Sequence, residues 1–326
     1  MNKDFEKRSK EVFEVLSILV NVDNGIIFLG GSAIQATLPE QKRLSIDLDI
    51  SYSGDTGKLI QGLENSGYAI SKRKSRNPIF VYYTAEKGNV IVKLDITRLV
   101  ISETEKRYIR NIEVRLPLQR YFLASKLSSL AFGTIGRLEE EQSQIMKDIF
   151  DTNCILDNKP SLDGMKEDWH RIISEQNRLR NATHKEVQCI ESVQNALLKC
   201  IDVVPSPSFF ITQNSLGSFQ DTLVEGKVLR QDLAIMATRA LSLLVNMDNA
   251  FYDIEAQIIS DAKSQKKLEE AEKNLLPKSI LKAEQLHALK VTAPRALLYL
   301  SDWAGKKRGN ALVTTEKPVG DSPIYS

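Results

Sequence analysis

Two patterns of hydrophobic positions divide the chain. In the first half, short apolar or alternating runs predict strands, and apolar residues every three or four positions predict helices between them. Lys87-Gly88-Asn89 predicts a hairpin turn between two of the strands. The predicted strands cover 26–29, 44–52, 68–72, 79–84, 89–97 and 111–115, and the predicted helices cover 4–20, 56–66, 117–132 and 138–156, with a short helix from Ser32 that stops at Pro39.

The second half has helical periodicity and few strand signals. We therefore predict an α+β fold, with a mixed-sheet domain over 1–158, an all-helical domain over 159–310 and a loose tail over 311–326. Predicted helices of this half cover 162–176, 184–202, 230–262, 264–275 and 279–290, punctuated by Pro205, Pro207, Pro277 and Pro294.

Composition limits the chemistry more than it limits the fold. The 326 residues include 44 basic and 42 acidic side chains, a net charge of +2, and three cysteines and three histidines without CxxC or HExxH spacing. A histidine-based zinc site or a Ser–His–Asp triad has little to work with, so carboxylates and lysines must carry any catalysis. The N-terminal stretch is charged, and no apolar run approaches the roughly 18 residues of a spanning helix. We expect a cytoplasmic protein without membrane contact.

A glycine pair follows the first predicted strand, in FLGGSAI at 28–34. Gly30 and Gly31 lack a Cβ, so the backbone can approach a ligand closely there. The next helix directs its N-terminal amides toward the same place, and Ser32 adds a hydroxyl. This predicts a phosphate cradle; a plain turn is the alternative.

Two aspartates alternate with apolar residues in RLSIDLDI at 43–50. Residues i and i+2 of a strand face the same side, about 6.5 Å apart, so Asp47 and Asp49 would repel each other unless a cation lies between them. Such a pair favours hard divalent cations such as Mg²⁺. A solvated strand face is the alternative.

A third carboxylate lies in VIVKLDITR, where Asp95 would complete a triad if its strand were adjacent. It would hold a metal or take the proton of an attacking hydroxyl; a strand-end aspartate is the alternative. Residues 72–120 contain twelve basic and five acidic side chains. This excess is either a solvated face or a patch that attracts triphosphate or RNA.

Taken in order, hGGSxh and R-x-S-x-D-h-D-h resemble the nucleotidyltransferases of the polymerase-β type, and more narrowly the AbiEii/AbiGii toxin-like family. The resemblance extends to Lys126 and to Lys147-Asp148-Ile149-Phe150-Asp151, which begins 21 residues later, and it covers about 25–156. From the residues alone, Lys126 and Asp148 would also fit a surface salt bridge.

The resemblance implies a nucleotidyltransferase that moves NMP from an NTP to an acceptor hydroxyl with Mg²⁺ or Mn²⁺. Asp47, Asp49 and Asp95 would hold metal; these three with Lys126 and Asp148 would form the catalytic set. Asp148 would hold a metal or orient Lys126, and Arg43 would be structural or would face phosphate. The implied nucleotide-binding residues are Gly30, Gly31, Ser32, Arg43, Ser45 and Lys126.

The acceptor stays open at this point. The resemblance suggests a toxin of a toxin–antitoxin system that acts on a tRNA 3′ end or on a protein hydroxyl, with a cognate antitoxin as partner. The alternatives are a small-molecule nucleotidyltransferase of the antibiotic-modifying type, which predicts an acidic acceptor pocket in the helical domain, and a catalytically inert binding protein on the same scaffold.

Overall fold

The computed structural model describes residues 3–74, 80–204, 210–278 and 280–311. The strands in these ranges are β1 Ile27–Leu29, β2 Asp47–Ser51, β3 Ala69–Arg73, β4 Phe80–Lys87, β5 Val90–Thr97, β6 Thr104–Ile109 and β7 Ile112–Pro117. The helices are α1 Lys3–Val22, α2 Gly30–Thr37, α3 Thr56–Asn65, α4 Gln119–Ser129, α5 Gln142–Asp157, α6 Met165–Arg180, α7 Glu186–Lys199, α8 Gln213–Gln220, α9 Arg230–Val245, α10 Ala250–Asp261, α11 Gln265–Leu275, α12 Ala283–Thr292 and α13 Pro294–Ala311, with a 3₁₀ turn at Leu276–Lys278.

The strands form one mixed sheet in the order β3-β4-β5-β2-β1-β7-β6. Strand β2 pairs antiparallel with β1 and parallel with β5, and β1 pairs parallel with β7. The helical half of the chain follows the sheet. The predicted α+β class, a mixed sheet followed by helices, is therefore confirmed.

Alternation along the central strands gives the sheet two different faces. Leu48 and Ile50 of β2 and Leu94 of β5 are fully buried in the core, which α1 covers with its own apolar stripe. Burial of each such side chain contributes about 1.5–3 kcal/mol. The intervening polar residues of β2 and β5 face the other side of the sheet.

Two tight hairpins build the outer strands. Gly88, with φ 59°, lies in the predicted turn between β4 and β5. Arg110 and Asn111 connect β6 to β7 and have φ values of 48° and 66°. Positive φ at both central residues is typical of a type I′ turn, whose twist matches that of the paired strands.

The strand predicted over 44–52 is shorter in the structure, where β2 begins at Asp47. The residues before it are bonded elsewhere, because Val224 N donates to Lys42 O and Leu44 N donates to Thr222 O. A segment from the helical half thus holds the approach to β2. This pairing is remote in sequence, so the local pattern gave no sign of it.

Other elements were missed or wrongly joined. The predicted helix at 230–262 is two helices separated at 246–249, and β6, α8 and α13 were not predicted. Pro294, which the sequence pattern predicts to lie between elements, is the first residue of α13. A proline fits the first helical position because the amide there has no intrahelical partner.

The core continues from the sheet into the helical half through α4 and α5. Phe150 of α5 packs edge-on against Phe219 of α8, with ring centroids 5.5 Å apart. The proposed boundary at 158 stays a prediction, and the proposed tail lies outside the described residues except for Ala311, which ends α13. No helix in the described ranges is long and apolar enough to cross a membrane.

Phe219 offers a test of this shared core. Its side chain is fully buried, so we expect Phe219→Ala to lower the free energy of unfolding by about 3–5 kcal/mol. Urea unfolding followed by tryptophan fluorescence and by far-UV circular dichroism should give one transition that shifts as a whole. Tyr108→Ala, at a side chain that is 76% exposed, is the matched control. Two separate transitions, of which only one shifts, would show that the halves fold independently.

Candidate active site

Three carboxylates lie side by side on the open face of the sheet. Asp47 and Asp49 project from β2, and Asp95 lies directly opposite Asp49 in the parallel pairing with β5. Leu29, the last residue of β1, lies opposite Asp49 on its other side. The structure thus brings together the three aspartates that the sequence singled out.

Burial and mutual repulsion raise the pKa values of two of these carboxylates. Burial raises the pKa of Asp49 to about 6, and the charge of Asp47 adds to the shift. Burial likewise raises the pKa of Asp95 to about 7, with Asp49 adding and Arg73 opposing. Arg73 Nη2 donates to Asp95 Oδ1 at 2.5 Å. The raised pKa values indicate negative charge that nearby cations compensate only in part.

One oxygen of this group is an orphan. Asp47 Oδ1 is buried and accepts no hydrogen bond from any residue that the structure describes, and Lys93 Nζ lies 4.0 Å away, beyond hydrogen-bond distance. Among the residues that the structure describes, no three acidic, histidine or cysteine side chains are arranged to hold a metal ion. The oxygen donors and the orphaned atom nevertheless fit a hard divalent cation at Asp47 and Asp49, whereas Asp95 is already paired with Arg73.

Both glycines are explained by what approaches them. Gly30 has φ +69°, and a Cβ there would overlap the Asp49 carboxylate. A Cβ on Gly31 would overlap the Arg43 guanidinium and would lie 3.2 Å from Ser45 Oγ. The pair therefore lets the start of α2 sit against β2. This close fit leaves the first amides of α2 next to the carboxylates.

Ser32 belongs to the same junction. Its buried hydroxyl donates to the Asp47 main-chain oxygen at 2.6 Å, so it ties α2 to the first residue of β2. Ser45 precedes β2 rather than lying within it. Its hydroxyl lies near Gly31, at the start of α2.

A buried ion pair anchors the segment before β2. Arg43 donates to both oxygens of Asp151, from Nε at 2.8 Å and from Nη2 at 2.6 Å. The two side chains are 4% and 0% exposed. Gln35 Nε2 also donates to Asp151, while Gln35 Oε1 accepts from the amides of Lys42 and Arg43. Strand β2 is thereby fixed to α2 and α5.

A second buried cluster surrounds Asp148. Lys126 Nζ lies 2.7 Å from Asp148 and 3.0 Å from Asp151, and Arg137 Nε lies 2.6 Å from Asp148. Burial alone would raise the pKa of Asp148, but Arg137 and Lys126 hold it well below its usual range. Burial would lower the pKa of Lys126, but the two aspartates raise it overall. All four charges are therefore retained inside the protein.

A family model described as "Nucleotidyl transferase AbiEii toxin, Type IV TA system" matches residues 15–211. The chain belongs to the AbiEii nucleotidyltransferase toxin family. The match includes every site residue predicted from the sequence and extends past 158 into the helical half. A comparison with curated proteins found no match.

Two solved structures from Helicobacter pylori resemble this AbiEii-family chain distantly. One, assigned as a nucleotidyltransferase, is 15% identical, covers 61% of this chain and 95% of its own, and has a TM-score of 0.32. The other, JHP933, is 13% identical, covers 96% of this chain and 99% of its own, and has a TM-score of 0.33.

Three basic residues at the candidate site were not predicted to have a role. Arg73 pairs with Asp95, and Arg137 pairs with Asp148. No local sequence pattern predicts either pair, because the two residues of each pair lie in different elements or loops. Lys147 is the first residue of the motif that ends at Asp151, but no role was predicted for it. Its position beside Asp148 was the available signal.

The Arg43–Asp151 pair should dominate stability. Asp151→Asn leaves Arg43 buried without its counter-charge, so we expect the free energy of unfolding to fall by about 3–5 kcal/mol. Urea unfolding at pH 7 measures it. Glu113→Gln breaks an exposed pair with Lys106 and should cost less than about 1 kcal/mol. Equal losses in the two variants would show that burial does not strengthen the dependence on Asp151.

The buried carboxylate of Asp49 should instead lower the stability of the folded protein at neutral pH. The pKa of Asp49 in the folded protein is raised to about 6, above about 3.9 in an unfolded chain, so its contribution to stability falls as pH rises through this interval. In EDTA, Asp49→Asn should therefore raise Tm by about 2 °C at pH 8 and by less at pH 4. Asp253→Asn, at an exposed aspartate, is the control. A lower Tm at pH 8 would contradict the expectation.

Proposed function

We propose that this protein transfers a nucleoside monophosphate from an NTP to an acceptor hydroxyl. The arrangement that carries the proposal is the row formed by Asp47, Asp49 and Asp95 on adjacent strands, beside the start of α2. Aligned carboxylates next to helix N-terminal amides suit a reaction in which charged phosphates must be held and a hydroxyl activated. Membership of the AbiEii family supports the same class of reaction.

Asp47 and Asp49 would hold Mg²⁺ or Mn²⁺, and Asp95 would join them where Arg73 releases it. When bound, such an ion offsets carboxylate repulsion and supplies positive charge to the phosphates. Gly30, Gly31 and Ser32 would place their amides toward phosphate oxygens. The Ser32 hydroxyl proton is used by Asp47 O, so only the amide of Ser32 is offered as a donor.

The acceptor oxygen attacks the α-phosphorus and forms the new phosphoester bond. The bond from the α-phosphorus to the bridging oxygen breaks, and its electron pair leaves with pyrophosphate. We propose that Asp95 accepts the proton of the attacking hydroxyl, since it lies at the same level of the sheet as Asp49. Lys126 and Asp148 act through each other, as a pair that fixes the interior wall of the site. Arg43 and Ser45 serve as positioning residues.

A tRNA 3′ end is the acceptor that we propose. The open face of the sheet continues from Asp95 to Tyr82, its register partner on β4, and the Arg73 guanidinium lies 5.1 Å from the Tyr82 ring centroid. Arg180 of α6 lies near Tyr82, and Lys93 is exposed on the same face. Cations interleaved with an aromatic ring favour a nucleic-acid strand. In this role the protein would be a toxin neutralised by a cognate antitoxin.

A small-molecule acceptor gains less support. A cavity in the described helical half has a volume of about 420 Å³ and lies between α5, α9, α10 and α13. Its charged lining is balanced rather than acidic, and none of the proposed site residues lines it. An inert scaffold fits poorly with three aligned carboxylates, two of which have pKa values raised by burial and by their neighbours. The charged lining residues are Asp157, Asp232, Glu255, Lys159, Arg239 and Arg295.

The test incubates the purified protein with Mg²⁺ and each α-labelled NTP, with total tRNA in one set and protein alone in the other. We expect label in tRNA, and at least a 100-fold loss of transfer in Asp47→Asn, because charge is removed where the phosphates are held. Asp253→Asn is the matched control and should keep full transfer.

The outcomes separate the candidates. Label in protein would move the acceptor to a protein hydroxyl, and a variant Asp47→Asn with full transfer would contradict the proposed mechanism. Binding of NTP without label in either set would favour a small molecule. Absence of NTP binding with and without Mg²⁺ would favour the inert scaffold.

A further inference from the structure

The proposed reaction needs cations for the phosphate tail of the NTP, and the basic residues predicted for this task are occupied. Arg43 is held by both oxygens of Asp151, and Lys126 is held by Asp148 and Asp151. Moving either side chain toward a ligand would leave an aspartate buried without its counter-charge, which is strongly unfavourable. The cation that meets the phosphates should therefore be another one.

Lys147 has the required position. It lies on α5 directly before Asp148 and one turn before Asp151, so it shares the helix face that meets the segment before β2. Its side chain is partly buried. No hydrogen bond and no ion pair joins its ammonium group to any residue that the structure describes. Among the basic residues around the buried clusters, Lys147 thus differs from Arg43, Lys126 and Arg137, each of which has a carboxylate partner.

An unpaired ammonium group in a partly buried place is costly for folding. Burial and the neighbouring Arg43 lower the pKa of Lys147 to about 8, although Asp47, Asp148 and Asp151 act in the raising direction. These aspartates are near enough to act on Lys147, yet none comes within ion-pair distance. The side chain is therefore within electrostatic range of the Asp47 carboxylate and of the Arg43–Asp151 pair, but it forms an ion pair with neither.

We propose that Lys147 binds the phosphate tail of the NTP and offsets the charge of pyrophosphate as it leaves. This inference rests on the proposed nucleotidyl transfer. The ammonium group keeps its proton throughout and acts as a point charge. Lys126 then has the different task of holding Asp148 and Asp151 in place. The division explains why a cluster with several basic residues leaves one of them unpaired.

The probe is sodium tripolyphosphate, which has the charged tail without a base or sugar. Its binding to the full chain is measured by isothermal titration calorimetry in EDTA, so that carboxylate-bound metal plays no part. We expect Lys147→Met to weaken binding about 10- to 100-fold, as for the loss of one charged hydrogen bond. Lys147→Arg should keep most of the affinity. Lys166→Met, at an exposed lysine of α6, should bind like the wild type.

Thermal unfolding distinguishes this role from a structural one. Because Lys147 makes no hydrogen bond or ion pair with the described residues, Lys147→Met should have an unchanged or higher Tm, together with its weaker binding. Equal affinity in wild type and Lys147→Met would overturn the proposal, and so would absence of tripolyphosphate binding by the wild type. If Lys147→Met also lost stability, Lys147→Arg decides: retained binding supports the proposal, and lost binding overturns it.

The labelled-NTP assay is run on the same preparations. A wild type that transfers label but binds tripolyphosphate no better than Lys147→Met would sink the role of Lys147 and leave the proposed function standing. A wild type that binds tripolyphosphate through Lys147 and transfers no label to any acceptor would overturn the proposed function. It would leave phosphate binding by Lys147 standing.

Discussion

The buried pairing of Arg43 with Asp151 is the contact on which the site depends. Strand β2 is short, and the residues before it belong to no strand, so its position relies on what holds Arg43. Asp151 does so from α5, and Lys126 of α4 joins the same carboxylate. Three elements far apart in sequence therefore meet at one aspartate. Because the pair is almost fully buried, solvent and salt screen it little.

The two groups of charged residues at the site differ in how far their charges are compensated. Lys126, Arg137 and Asp148, together with Asp151, form a hydrogen-bonded cluster in which every charge has an opposite partner. The row of Asp47, Asp49 and Asp95 is compensated only in part, since burial and neighbouring carboxylates raise the pKa values of Asp49 and Asp95. Functional sites commonly hold such perturbed groups. The cluster around Asp148 thus fixes the interior side of the site, next to the row of carboxylates.

The helical half contributes to the site although the predicted site residues lie outside it. Thr222 and Val224 form main-chain hydrogen bonds with the segment that carries Arg43, and Phe219 packs against α5. Helix α5 has the two buried aspartates on one face and this packing on another. The family match extends to residue 211. The helical half thus helps to fix α5 and the segment that leads into β2.

The local features could be predicted from the sequence: the strand–glycine–helix junction at Gly30, the alternating aspartates of β2, and the α+β order of elements. These follow from periodicity and from neighbours a few residues apart, which a pattern records directly. Folding alone makes Arg43 an internal anchor, brings Arg73 to Asp95 and leaves Lys147 without a hydrogen bond or ion pair to the part of the chain that the structure describes. Partner choice depends on burial and on contacts across 20 to more than 100 residues, and no spacing rule encodes it. For the same reason α8 and the true start of β2 escaped prediction, since packing between remote segments defines them.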